Sequence, residues 1–174
     1  FRSNGVGKTT LTKLLAALLH PTSGTVWIGE QATTDKVPEE VASWVGYVFQ
    51  HADQQLFART VLDEVAFAPR QRGVGASEAR ALAATALEVV GLSALASTHP
   101  YDLPPPRRKL VALASALAQA SQILVLDEPT LGLDREGRAV VCRVVRDAAA
   151  RGVAVLAVSH DLEFVANVVE RAMV

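Results

Sequence analysis

Apolar and polar positions along this chain switch between a strand period and a helix period. Thr25–Gly29 and Gly46–Gln50 are short runs containing the β-branched and aromatic residues of strands. Ile123–Leu126 and Val153–Val158 are apolar throughout, as expected of strands covered on both faces. Helical patterns fill the intervals. One runs from about Gly7 to His20 and stops at Pro21, and a second opens at Thr60 with Asp63 as its capping partner. A third, Ser77–Val90, carries Leu82, Leu87 and Val90 on one stripe and ends at Gly91. Two more cover Leu110–Ala120 and Glu136–Arg151, the latter stopped by Gly152.

This alternation predicts an α/β fold with a mostly parallel sheet. The strands fall in two blocks, before Gln50 and after Gln122. The chain therefore divides into a core, residues 1–50 and 121–174, and a helical insert, residues 51–120, which carries Pro100 and Pro104 to Pro106. The pattern breaks off at both ends. Phe1 already lies inside a glycine-rich loop of a kind that normally follows a buried strand, and Met173-Val174 reads as the start of another strand, so the expectation is that a terminal strand is missing at each end.

Composition narrows the reading. Half of the 174 residues are hydrophobic and the mean hydropathy is +0.24, which raises the question of a membrane span. A span needs roughly 20 consecutive apolar residues, and the longest weakly polar stretch, Leu110–Ala120, is too short and contains Ser115 and Gln119. The net charge is −1, with 17 basic against 18 acidic residues, which is not the footprint of a nucleic-acid binder. A single cysteine, Cys142, excludes an internal disulfide and a cysteine-based zinc site.

The opening segment FRSNGVGKTT resembles the phosphate-binding pattern G-x-x-x-x-G-K-[ST], with Arg2 at the place of its first glycine. Backbone N–H groups of Ser3, Asn4, Gly5, Val6 and Gly7, and of the helix that follows, can converge on a triphosphate. Lys8 would reach the β- and γ-phosphates, Thr9 would ligate Mg²⁺, and Thr10 would bond the α-phosphate. ILVLDEPT is an apolar strand ending in two acids, of which Asp127 would hold Mg²⁺ and Glu128 would polarise the attacking water. VLAVSHD ends the next strand in the same way, and His160 would sit beside Glu128 and contact the γ-phosphate. Gln50, at the entry to the insert, can touch metal and water with its amide.

In this order, NGVGKTT, Gln50, ILVLDEPT, LGLD and VSHD resemble the ABC transporter ATPases over essentially the whole chain. The resemblance implies a P-loop NTPase with a RecA-like parallel-sheet core and an inserted α-helical subdomain. It further implies a head-to-tail dimer that sandwiches two ATP molecules with Mg²⁺, and a D-loop at Gly132, Leu133 and Asp134 crossing to the second subunit. The segment VGYVFQHADQQLFARTVLDEVAFAPR is similar to the ATPases of energy-coupling factor (ECF) importers. That similarity implies a site on the cytoplasmic face of the membrane and contact with a membrane coupling subunit. Leu56, Phe57, Val61, Val65 and Phe67 are candidates either for that contact or for the core of the insert.

The family signature L-S-G-G-Q falls on Leu103, Pro104, Pro105, Pro106 and Arg107. Proline brings neither a hydroxyl nor an N–H, so several donors to the partner's ATP are gone. Arg107, Arg108 and Lys109 follow, either as cations that replace those donors or as a solvated basic cluster. The broken signature predicts a heterodimer, or a fused tandem protein, whose other half has an intact signature. The alternative is a catalytically impaired regulatory half.

Overall fold

The computed structural model describes residues 7–172. In chain order its elements are α1 (Lys8–Leu15), β1 (Trp27–Ile28), β2 (Gln31–Ala32), α2 (Pro38–Val41), β3 (Val45–Val48), α3 (Val61–Gln71), α4 (Ala76–Val89), α5 (Pro105–Ala118), β4 (Ile123–Asp127), α6 (Arg135–Ala150), β5 (Ala154–Val158) and α7 (Leu162–Val168). The chain is α/β, with a parallel sheet ordered β3-β4-β5 and a separate antiparallel pair β1-β2.

The central strand β4 shows why its sequence is apolar throughout. Leu124 and Leu126 face one apolar cluster, which reaches α3, α4, α5, α6 and Phe164 of α7. Val125 faces another, formed with Ala17, Val41 and Val45. Alternating side chains of one strand thus enter two different cores. The helices α3, α4 and α5 pack on one another, and α5 also meets β3.

Several boundaries differ from the sequence reading. α1 ends at Leu15 rather than His20, because Ala17 takes a left-handed conformation, φ 55°. Leu18 N–H then reaches Lys13 O at 2.9 Å and Ala17 N–H reaches Leu14 O at 3.2 Å, a Schellman stop built on alanine instead of glycine. The strand expected at Thr25–Gly29 shrinks to Trp27–Ile28, which turns at once through Gly29, φ 57°, into β2. α5 begins at Pro105 rather than near Leu110, since Pro105 and Pro106 occupy its first two positions. Proline suits a first helical turn, where its fixed φ is already helical and no N–H is required.

Candidate nucleotide site

Gly7 starts α1 from a left-handed conformation, φ 84°, which a side chain would strain. Lys8 and Thr10 are exposed in the first turn and Thr9 is half-buried. Arg2 and the candidate loop residues Ser3, Asn4, Gly5 and Val6 lie outside the described residues, as does Met173-Val174. One turn further, Thr12 is fully buried; its hydroxyl donates to Thr9 O at 2.9 Å and pairs with the Tyr47 hydroxyl at 2.8 Å. α1 is thereby tied to β3, and it also lies against β4. Burial raises the Tyr47 phenol above its ordinary value; the Thr12 hydrogen bond lowers it, and the nearby Asp127 charge raises it further.

β4 delivers two acids to the sheet edge. Asp127 is 2% exposed, and its Oδ1 has no hydrogen-bond partner among the described residues. An orphaned buried carboxylate oxygen is costly, and hard divalent cations take oxygen ligands. Asp127 therefore fits a bound Mg²⁺.

Glu128 leaves the strand in a left-handed conformation, φ 49°, costing roughly 1–2 kcal/mol in a residue with a Cβ. Its N–H donates to Val158 O at 2.8 Å, which stitches the turn to the end of β5. Glu128 Oε2 meets His160 Nδ1 at 2.8 Å and accepts the His160 N–H at 3.3 Å. The Glu128 side chain is 11% exposed and that of His160 is 69% exposed. With Nδ1 committed to the carboxylate, Nε2 is the nitrogen left for an external ligand.

Gln50 is half-buried in the turn beyond β3, which ends at Val48, two residues earlier than the sequence pattern predicts. Beyond Glu128 the chain divides its tasks. Leu131 and Gly132 are exposed, whereas Leu133 is buried in the core and Asp134 caps α6 by accepting the Gly137 N–H at 2.8 Å. Of the residues expected to cross to a partner, Leu133 is thus an interior one.

The start of α5 is unusual as a helix terminus. Helix N-termini normally present four free N–H groups. Here Pro104, Pro105 and Pro106 have none, and Arg107 N–H already donates to Pro104 O at 3.0 Å. The three cations that follow have different surroundings. Arg107 is exposed, but Arg108 donates from Nε to Leu103 O at 2.8 Å and lies over the Tyr101 ring at 5.0 Å. Lys109 is 6% exposed and donates to Glu128 O at 2.6 Å and Leu131 O at 3.0 Å. Burial pushes its ammonium below the ordinary lysine value, while Asp53, Glu128 and Asp127 push it back up. The sequence carried a signal for this: Lys109 shares the buried α5 stripe with Leu113 and Ala116.

The five apolar candidates of the insert separate cleanly. Leu56, Val61 and Val65 belong to the core. Phe57 and Phe67 are 63% and 41% exposed and pack edge to face at 4.7 Å. Behind them the buried Glu64 carboxylate accepts the Phe57 N–H at 2.8 Å and the Ala58 N–H at 2.7 Å, fixing the loop that presents Phe57.

A glycine-started helix packed on β3 and β4, with strand ends that carry an acid pair and a histidine, is the arrangement of a P-loop ATPase cassette. The ABC transporter family profile matches residues 3–131, and the chain belongs to that family. It is 39% identical over 98% of its length to the energy-coupling factor transporter ATP-binding protein EcfA2 of Symbiobacterium thermophilum, covering 60% of that protein. Among solved structures it is similar to the dimeric ATP-binding cassette MJ0796 in a post-hydrolysis state bound to ADP and Pi. The TM-score is 0.84 at 28% identity, covering 93% of this chain and 73% of that one. It is also similar to cbiO1 of Clostridium perfringens, part of the ABC transporter complex cbiONQ, with TM-score 0.80 at 29% identity, covering 95% of this chain and 67% of that one. The chain spans 60–65% of the length of three of the curated relatives it matches.

Proposed function

We propose that the protein binds and hydrolyses ATP and that this powers import by an ECF-type ABC transporter. The observation that carries the chemistry is the Glu128–His160 pair at 2.8 Å, at the tips of adjacent strands beside a buried Asp127 with an unsatisfied oxygen. Lys8 would bind the β- and γ-phosphates, and Thr9, Gln50 and Asp127 would hold Mg²⁺. Mg²⁺, when bound, supplies neutralisation of phosphate charge. Glu128 would orient the attacking water and accept its proton, and His160 would stabilise the developing charge through Nε2. Mutating Glu128 to glutamine and measuring phosphate release against nucleotide binding tests this reading; unchanged turnover would overturn it.

The importer subtype is supported by the EcfA2 relatives and the cbiONQ component among the similar chains. The Phe57–Phe67 pair supports contact with a membrane coupling subunit, and with it a place on the cytoplasmic face of the membrane. Among the described residues, no helix is long and apolar enough to cross a membrane, so such an attachment would be peripheral. A second ATPase half with an intact signature would complete this chain's site, because the start of α5 has no N–H groups to offer a facing phosphate.

A further inference from the structure

Lys109 is the one buried cation whose hydrogen bonds run from the helix behind the signature position to the hydrolytic turn, among the described residues. A buried ammonium is tolerated only where its protons are taken up by good acceptors. Its acceptors here are two carbonyls, Glu128 O at 2.6 Å and Leu131 O at 3.0 Å, and not a carboxylate. Both belong to a tight turn, in which Leu131 N–H also donates to Glu128 O at 3.2 Å. Glu128 O is therefore held by two donors while Glu128 N–H is held by Val158 O. With both of its flanking peptide groups pinned, the left-handed backbone of Glu128 has one orientation, and its side chain leaves toward His160. The other end of the link is rigid as well. Lys109 lies in the turn of α5 that follows Pro105 and Pro106, so a displacement of the helix start moves the ammonium with it.

We propose that Lys109 is a positioning residue: its ammonium clamps the Glu128 and Leu131 carbonyls, aims the Glu128 carboxylate, and couples the start of α5 to the hydrolytic site of the same chain. This rests on the reading of Glu128 as the hydrolytic residue. What engages the signature position of this chain then reaches Glu128 through one side chain, without contacting the nucleotide that Glu128 serves.

The test uses the full-length protein assembled with its partners. Lys109→Met removes the donors at nearly constant volume, and misplacing Glu128 by a fraction of an ångström to an ångström lowers kcat about 10- to 100-fold. The KM for ATP and the equilibrium binding of a non-hydrolysable ATP analogue move less than about twofold. Lys109→Arg, which keeps the charge and the donors, recovers most of the turnover. Adding Lys109→Met to Glu128→Gln causes no further loss, because the first change acts through the second residue. If Lys109→Met does not assemble, Lys109→Gln, which keeps a neutral amide donor, is measured instead, with a smaller loss of kcat expected and the same lack of effect on KM and analogue binding. Wild-type turnover in the variant, or a loss of ATP binding in proportion to turnover, overturns the proposal. Near-normal turnover in Glu128→Gln alone overturns instead the reading on which it rests.

Discussion

Glu128 Oε2 lies 2.8 Å from His160 Nδ1, although the two residues are separated by the whole of α6 and β5 and differ sharply in exposure. The parallel register brings them together: Asp127 pairs with Val158, so the residues just beyond each strand end arrive at the same sheet edge. The carboxylate is the shielded partner and the imidazole the exposed one. A buried acid oriented by a more exposed base suits positioning a water against a phosphate.

Removing this pair is expected to separate chemistry from binding. Glu128→Gln is expected to lower steady-state phosphate release by about 10²–10⁴-fold, the usual range for a lost general base. Nucleotide binding measured by fluorescence titration should change little. His160→Ala should cost about 10²-fold in kcat, as expected of one lost stabilising contact.

Lys8, proposed above to bind the β- and γ-phosphates, is expected to act on affinity instead. A charge-assisted hydrogen bond contributes roughly 1.5–3 kcal/mol, so Lys8→Ala should weaken ATP binding about 10- to 100-fold, read by isothermal titration. The folded state should keep its Tm, because Lys8 is exposed and buries no surface.

The proline-filled signature gives a gain-of-function test. Pro104→Ser, Pro105→Gly, Pro106→Gly and Arg107→Gln together restore a hydroxyl and free N–H groups at the start of α5. Even one recovered charge-assisted bond, roughly 1.5–3 kcal/mol, should raise ATPase at the opposite site of the assembled pair about tenfold or more. Absence of any gain would mean that the prolines are not what limits that site.

Glu64 connects stability to docking. Its buried carboxylate accepts two loop N–H groups, so Glu64→Ala should destabilise the chain by about 1–3 kcal/mol in a denaturant titration. Because those N–H groups belong to Phe57 and Ala58, association with a membrane coupling subunit should weaken as well.

Asp161 predicts an acid limb. It caps α7 by accepting the Phe164 N–H at 3.1 Å and pairs with Arg138 at 3.3 Å. Its carboxyl is held below the ordinary 3.8, first by the Phe164 N–H, with hydrogen bonding from Thr130 and the Arg138 charge adding to the effect. A depressed folded pKa gives stability that is complete above 3.8 and lost as pH falls through the folded value. Asp161→Ala should therefore cost about 1 kcal/mol near neutrality, the usual worth of a helix cap. The difference from wild type should shrink in denaturation curves taken at acid pH.

The sequence by itself determined the class of fold and the chemical vocabulary of the site. Ile123–Leu126 has the wholly apolar pattern expected of a strand covered on both faces, and a strand of that kind ending in two acids, followed by another ending in histidine, constrains where those groups emerge. Local rules carried this information: period, strand parity, and the cap at Thr60 whose hydroxyl accepts the Asp63 N–H at 3.1 Å. What only the tertiary structure decided were relationships that no local rule encodes. α1 stops early because Ala17 accepts a left-handed turn that sequence statistics assign to glycine. Pro105 and Pro106 open a helix instead of preceding one, since their missing N–H groups cost nothing there. Leu56, Val61 and Val65 went inside while Phe57 and Phe67 stayed out, a sorting fixed in α3 by which helix face met α4 and α5, and for Leu56 and Phe57 by the path of the loop before α3. Lys109, one of three neighbouring cations in the sequence, turned inward because its acceptors, the carbonyls of Glu128 and Leu131, are supplied by a turn distant along the chain. Hydrogen bonds between remote segments depend on how elements stack, and that is settled by packing of the whole chain and not by any stretch of it.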